Sequence, residues 1–202
     1  MISRFSISCN KQGAVIMSLS PIKLEILETM LVNGKPMKAA QIASENKTEF
    51  PPTMMHLLGL TRMGYVTSPQ KSLYILTDEG KKALGIPQTT KETAKAILAY
   101  APHDKSFNFY VDVDRPLHMH AHSLYDFANK LAKIDIKSIE FHTCRGDFEA
   151  WFKCIGDQEL AKVAAVVKDR KVSGDKLRTV LHDVVEQRCQ DLMKLTGQAV
   201  PT

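Results

Sequence analysis

The sequence predicts an α+β fold, mainly α, made of two parts. Three observations predict it. Between Pro21 and Gly85, apolar-periodic segments alternate with glycine stops and two short β-prone runs. From Thr90 onward, apolar residues recur at helical spacing, interrupted by one aromatic and β-branched run, Phe107–Val113. Between these regions, Gly85-Ile86-Pro87 breaks the pattern. The expected division is a flexible arm over 1–20, a first domain over 21–86, a connecting stretch with a helix over 87–106, and a mainly helical domain over 107–197 with at most a small β element.

Composition narrows the class. The chain has 202 residues, 44% hydrophobic and 24% charged, the balance of a folded chain and not of a disordered one. No apolar run approaches the roughly 20 residues of a membrane span. The first twenty residues carry no compact apolar stretch of the signal-peptide kind, so a cytoplasmic protein is expected. Those residues are either a loose arm, or the start is at Met17. Cys9, Cys144, Cys154 and Cys189 form no CxxC pair and read as reduced thiols.

The first part has a definite order. Ser20-Pro21 starts a helix, with Pro where a missing N–H costs nothing. Ile22, Ile26, Leu27 and Met30 make its stripe, and Asn33-Gly34 stops it. Pro36 begins a connection to a short helix, Lys38–Ala43, with Ala39, Ile42 and Ala43 inward. Pro51-Pro52 resets the chain before a third helix, Thr53–Met63, with Leu57, Leu60 and Met63 toward the core. Tyr65–Ser68 and Leu73–Leu76 then flank the turn Pro69-Gln70-Lys71, and Thr77-Asp78-Glu79-Gly80 opens another helix. This is the order of a winged helix-turn-helix, in which the third helix enters the major groove of DNA.

Charge agrees with that partner. Residues 1–90 hold ten Lys/Arg against six Asp/Glu, whereas 91–202 hold seventeen against sixteen. The expected duplex contacts are Lys47 and Thr48 ahead of the helix, Thr53 and His56 toward bases, Arg62, and Lys71 at the hairpin tip. The helix is poor in Arg and Asn, however. An alternative is a protein–protein adaptor with Met54, Met55 and Leu58 as an exposed apolar patch.

The segments Arg62–Val66 (RMGYV) and Tyr74–Gly80 (YILTDEG) resemble the MarR/PadR/ArsR-like winged-helix regulators of prokaryotes. The resemblance implies a transcriptional regulator, often dimeric.

In the second part, Thr90–Tyr100 is expected to be a bridging helix, Pro102–Ser106 a loop, and Ser123–Ile134 a helix. Ile136–His142 fits strand or helix. Asp147 is the expected N-cap of Phe148–Ile155, Asp157 that of Gln158–Lys168, and Ser173-Gly174-Asp175 leads into a last helix, Lys176–Leu195. That helix carries the stripe Leu177, Val180, Leu181, Val184, Val185 and Leu192, which reads as core or as a homodimer seam. Phe107–Tyr110, Ala121–Phe127, Phe141–Trp151, Gly156–Ala161 and Val185–Arg188 together resemble an uncharacterised, mainly archaeal family of unknown function, which implies no activity.

Two constellations could carry chemistry. His118, His120 and His122 alternate, so an extended backbone would align them as metal ligands; a solvated His-rich loop is the favoured reading, and no metal is expected. His142, Arg145 and Asp147 form a polar cluster beside Cys144, which would be a nucleophile only if a neighbour lowered its pKa. A structural role is favoured. Phosphate loops, nucleophile elbows, H-E-x-x-H motifs and dinucleotide fingerprints are missing, so neither an enzyme nor a cofactor is expected. The resulting expectation is a cytoplasmic, archaeal, dimeric transcription regulator that binds duplex DNA, with a C-terminal domain that dimerises, senses a small molecule or binds a protein. A His-cluster metal sensor or metalloenzyme is the second alternative.

Overall fold

A computed structural model describes residues 19–198. The arm expected over 1–20 lies almost wholly outside them. The described residues form an α+β, mainly helical fold with two small antiparallel sheets. No helix among them is long and apolar enough to cross a membrane.

The chain begins with α1 (Pro21–Asn33), closed by Gly34 in the left-handed region at φ 66°. A two-residue strand, β1 (Met37–Lys38), follows where a plain connection was expected. Then come α2 (Ala39–Glu45) and α3 (Phe50–Arg62). The prolines at 51 and 52 do not precede α3; they sit in its first turn, where the missing N–H groups have no intrahelical partner to lose. Strands β2 (Val66–Gln70) and β3 (Leu73–Leu76) form a hairpin whose loop is Lys71-Ser72. Pro69 is therefore inside β2 and not in the turn. It is tolerated because the strand order β1-β3-β2 makes β2 an edge and because the register shifts between Thr67 and Gln70. Helix α4 (Asp78–Ala83) is capped by the Thr77 hydroxyl, which accepts from the Gly80 N–H.

Helix α5 (Lys91–Leu98) starts at Thr90, whose hydroxyl accepts from the Thr93 N–H. After a 3-10 turn at His103–Lys105, β4 (Phe107–Asp112) and β5 (Arg115–Ala121) form a second hairpin. The His-rich stretch is thus a strand and not a loop. Helices α6 (Leu124–Leu131), α7 (Ile136–Arg145), α8 (Asp147–Cys154), α9 (Gln158–Asp169) and α10 (Gly174–Thr196) complete the chain. The ambiguous Ile136–His142 is helical.

Two cores result. Ile26, Leu27, Met30, Ile42, Leu57, Leu60, Val66 and Tyr74 fill the first. The second is larger and aromatic, with Phe107, Phe109, Phe127, Phe148, Trp151 and Phe152 at its centre. Phe107 meets Phe109, Phe127 and Trp151 edge-on at 4.8–5.6 Å between ring centroids, a favourable quadrupole arrangement. Ala94 and Ile97 of α5 belong to this core, as does Leu31 of α1. The apolar stripe of α10 is consumed here too: Leu177, Leu181, Val185 and Leu192 are buried within the chain, and Val180 and Val184 pack against the same core.

Two ion pairs and a hydrogen bond are among the contacts that join the halves. Lys162 Nζ meets Glu28 Oε1 at 2.7 Å, Lys81 Nζ meets Glu159 Oε1 at 2.6 Å, and the Arg170 guanidinium donates to the Thr29 hydroxyl at 2.8 Å.

Candidate functional site

Helix α3 is packed on one side only. Leu57 and Leu60 are completely buried, while Phe50, Met55 and Leu58 are 51%, 69% and 39% exposed. With Arg62, also exposed, Met55 and Leu58 follow one another at helical spacing along the outer face. Met54 does not belong to that face. It is half-buried against the first core, and its Sδ lies 3.5 Å from the Tyr74 hydroxyl.

The six expected nucleic-acid contacts divide into three exposed cations, a half-buried histidine and two threonines. Lys47, Arg62 and Lys71 are exposed, respectively in the turn before α3, at its last residue, and in the hairpin loop. No carboxylate among the described residues pairs with any of the three. Lys47 takes a left-handed backbone, φ 52°, which turns the chain from α2 into α3. His56 is half-buried on α3.

The two threonines correct the expectation. Thr53 was expected to face outward, but it is fully buried, and its hydroxyl donates to the Glu49 carbonyl at 2.8 Å. Thr53 stands four residues before Leu57 and seven before Leu60, so it shares their inner face. Thr48 is half-buried and its hydroxyl lies 2.8 Å from that of Thr53. Together they staple the turn between α2 and α3, and neither side chain is free for a phosphate or a base.

The polar cluster of α7 and α8 is structural in its bonding. His142 is buried, with Nδ1 at 2.8 Å from Asp147 Oδ2 and Nε2 at 2.8 Å from the Tyr110 backbone N–H. That N–H can only donate, so Nε2 accepts and the ring proton sits on Nδ1, pointing at Asp147. Both nitrogens are spent. Burial holds the His142 pKa below its usual value, against the opposing pull of Asp147. The ring therefore has no atom left to deprotonate a substrate or Cys144. Asp147 is not the cap of α8 but its first residue. Gly146 is the N-cap, and the Asp147 carboxylate also accepts from Arg145 Nε at 3.1 Å. Arg145 in turn lies over the Phe141 ring, 5.0 Å from its centroid.

The expected histidine triad is also rearranged. Asn108 pairs with His120 while Tyr110 pairs with Pro116, so β5 carries extra residues between the two pairs. His118 sits in this bulge at φ 51° and is exposed. It leaves the row, and His103 of the 3-10 turn comes in beside His120 and His122. His103 was missed because it is separated from the others by a strand and a turn, and only the hairpin closes that gap. As they stand, no three His, Cys, Asp or Glu side chains among the described residues are grouped to hold an ion.

No protein-family model, curated protein or solved structure shows significant similarity to the chain.

Proposed function

We propose that residues 21–86 are a winged helix that docks on duplex DNA, and that the chain is a transcription regulator. The observation that carries this reading is the placement of Lys47, Arg62 and Lys71, exposed and without carboxylate partners among the described residues, at both ends of helix α3 and at the tip of the adjoining hairpin. The element order α1-β1-α2-α3-β2-β3 and the sheet order β1-β3-β2 supply the frame in which such a helix lies in a major groove. The cations would hold the phosphates on either side, and Met55 and Leu58 would face the groove floor, where apolar side chains favour thymine methyl groups over hydrogen-bonded readout. Such a head binds strongly through the backbone and discriminates weakly between sequences.

The exposed Phe50, Met55 and Leu58 support a second reading, an adaptor that grips a protein through the same helix. Fluorescence anisotropy of the full chain with duplex DNA over a salt series separates the two. DNA docking requires an affinity that falls with salt by about 0.9 in log–log slope for each phosphate neutralised. Absence of duplex binding at low salt and micromolar protein would overturn the DNA reading and leave the adaptor.

A further inference from the structure

His103, His120 and His122 stand in a closed triangle. Their ring centroids are 5.2 Å apart for His103–His120, 6.1 Å for His103–His122 and 6.4 Å for His120–His122. We propose that these three imidazoles form a binding site for one divalent transition metal ion of the nickel, copper and zinc group, with the fourth position open to solvent.

The hydrogen bonds set the tautomers. His122 Nδ1 lies 3.1 Å from the Ala101 carbonyl oxygen, and His120 Nδ1 is bonded to Asn108 Oδ1. Both partners are acceptors, so both Nδ1 atoms carry protons and each Nε2 keeps its lone pair. A ligating histidine needs this arrangement, with its second nitrogen held by a carbonyl that fixes ring orientation and raises basicity. His122 is further fixed by its backbone: its N–H donates to Asp126 Oδ2, its carbonyl accepts from the Ala101 N–H, and its ring stacks on Tyr100 with centroids 5.0 Å apart. His103 is anchored through its own carbonyl, which accepts from the Ser106 hydroxyl at 2.8 Å. His103 is exposed and the other two are half-buried, so an ion has a path in and a side left for water.

The spacing is near what coordination needs. A metal–nitrogen bond of about 2.0–2.1 Å places each ring centroid about 3.2 Å from the ion, and three such rings in tetrahedral directions stand about 5.2 Å apart. One side of the triangle already has this length. The His103–His122 side must shorten by about 1 Å, within reach of the short 3-10 turn that bears His103, and the His120–His122 side must shorten by about 1 Å through rotation of those two rings. The rings as they stand do not share an ion, and closure of this triangle is the change the proposal requires. Three neutral imidazoles with no thiolate select nickel, copper or zinc over magnesium or calcium. His118, turned out of the row by the bulge, takes no part.

Zinc chloride, and separately nickel chloride, are titrated against the untagged full chain in competition with a chromophoric chelator. The expected result is one equivalent bound, with His103→Gln and His120→Gln each weakening the affinity by more than the roughly 10- to 100-fold that loss of an outer-shell partner alone costs, and His118→Gln leaving it unchanged. Thermal melts of the same variants report whether a substitution disturbs folding. The metal-induced rise in melting temperature should appear in the wild type and in His118→Gln and vanish in His103→Gln. Failure of either metal to bind in stoichiometric amount overturns the site. So does His103→Gln binding as tightly as the wild type.

Discussion

Arg188 Nε donates to Asp157 Oδ2 at 2.9 Å, and both side chains are buried. Each of its two terminal nitrogens also finds a partner, Nη1 in Glu159 Oε2 at 2.8 Å and Nη2 in the Thr89 hydroxyl at 2.9 Å. Asp157 meanwhile accepts from the N–H groups of Glu159 and Leu160 and so caps α9. Burial alone would lower the Arg188 pKa, but Asp157 and Glu159 hold it above its usual value. Removing the cation strands a buried carboxylate, so Arg188→Met should cost about 3–5 kcal/mol in urea unfolding. Adding Asp157→Asn should recover part of that loss. An Arg188→Met chain as stable as the parent would show the pair to be dispensable.

The buried His142 makes stability depend on pH. Its folded pKa lies below the ordinary 6.5, so the unfolded chain binds the proton more readily. The contribution is complete above the unfolded value and is lost as pH falls through the folded one. Melting temperature should therefore drop as pH is lowered from 7, starting near 6.5. His142→Gln should be less stable at neutral pH and should flatten that part of the profile. A profile unchanged by the substitution would count against the assignment.

Two helical glycines should respond in opposite directions. A Cβ at Gly80 would run into the Tyr65 carbonyl oxygen and come within 2.6 Å of Leu76 Cδ1. Gly80→Ala should accordingly destabilise by about 1–3 kcal/mol or more, by overpacking α4 against the hairpin. At Gly59 the nearest atom is Lys23 Nζ, 3.8 Å away, so Gly59→Ala should stabilise α3 by about 0.5–1 kcal/mol. Chemical denaturation of the two variants checks both signs.

Thiol labelling should be selective. Cys144 and Cys154 are exposed, whereas Cys189 is buried and burial pushes its pKa up to about 12. Mass spectrometry after brief treatment with iodoacetamide should find carbamidomethyl groups on the first two, with Cys189 modified only after unfolding. Early modification of Cys189 would mean that α10 opens readily.

On duplex DNA, Lys47→Ala, Arg62→Ala and Lys71→Ala should each lower affinity and reduce the salt slope by about 0.9. Thr53→Val should leave the slope unchanged and lower the melting temperature, because its hydroxyl bonds to Thr48 and to the Glu49 carbonyl. A slope that responds to Thr53 and not to the cations would reverse the placement of the interface.

Much of this fold is legible as local chemistry. Glycine stops, the Asp157 cap and the helix starts at Thr90 and Ser123 depend on a few neighbouring residues, and the sequence shows them directly, although Thr90 and Ser123 prove to be caps and not first residues. The start of α3 was harder to read, because a Pro-Pro pair marks both a break and a tolerated first turn. Two-residue β1 carries no pattern of its own; it exists because Met37 lies opposite Tyr74. The candidate site was less legible for the same reason. Alternation placed His118 with His120 and His122, but a bulge is set by pairing across the hairpin, and His103 joins only through tertiary structure. Thr53 shares the buried stripe of Leu57 and Leu60 by its spacing of four and seven residues, wherever α3 begins, and Asp147 lies one position inside α8 because Gly146 takes the cap.

Helix α1 gives Ile26, Leu27 and Met30 to one core and Leu31 to the other. The N-terminal part is therefore not a cassette that could be cut out and grafted elsewhere. Severed near Gly85, each fragment would expose an apolar seam that its own residues cannot cover. On the proposed DNA reading, a change of specificity would have to come by substitution along α3, because exchange of the whole N-terminal part would require rebuilding the core it shares.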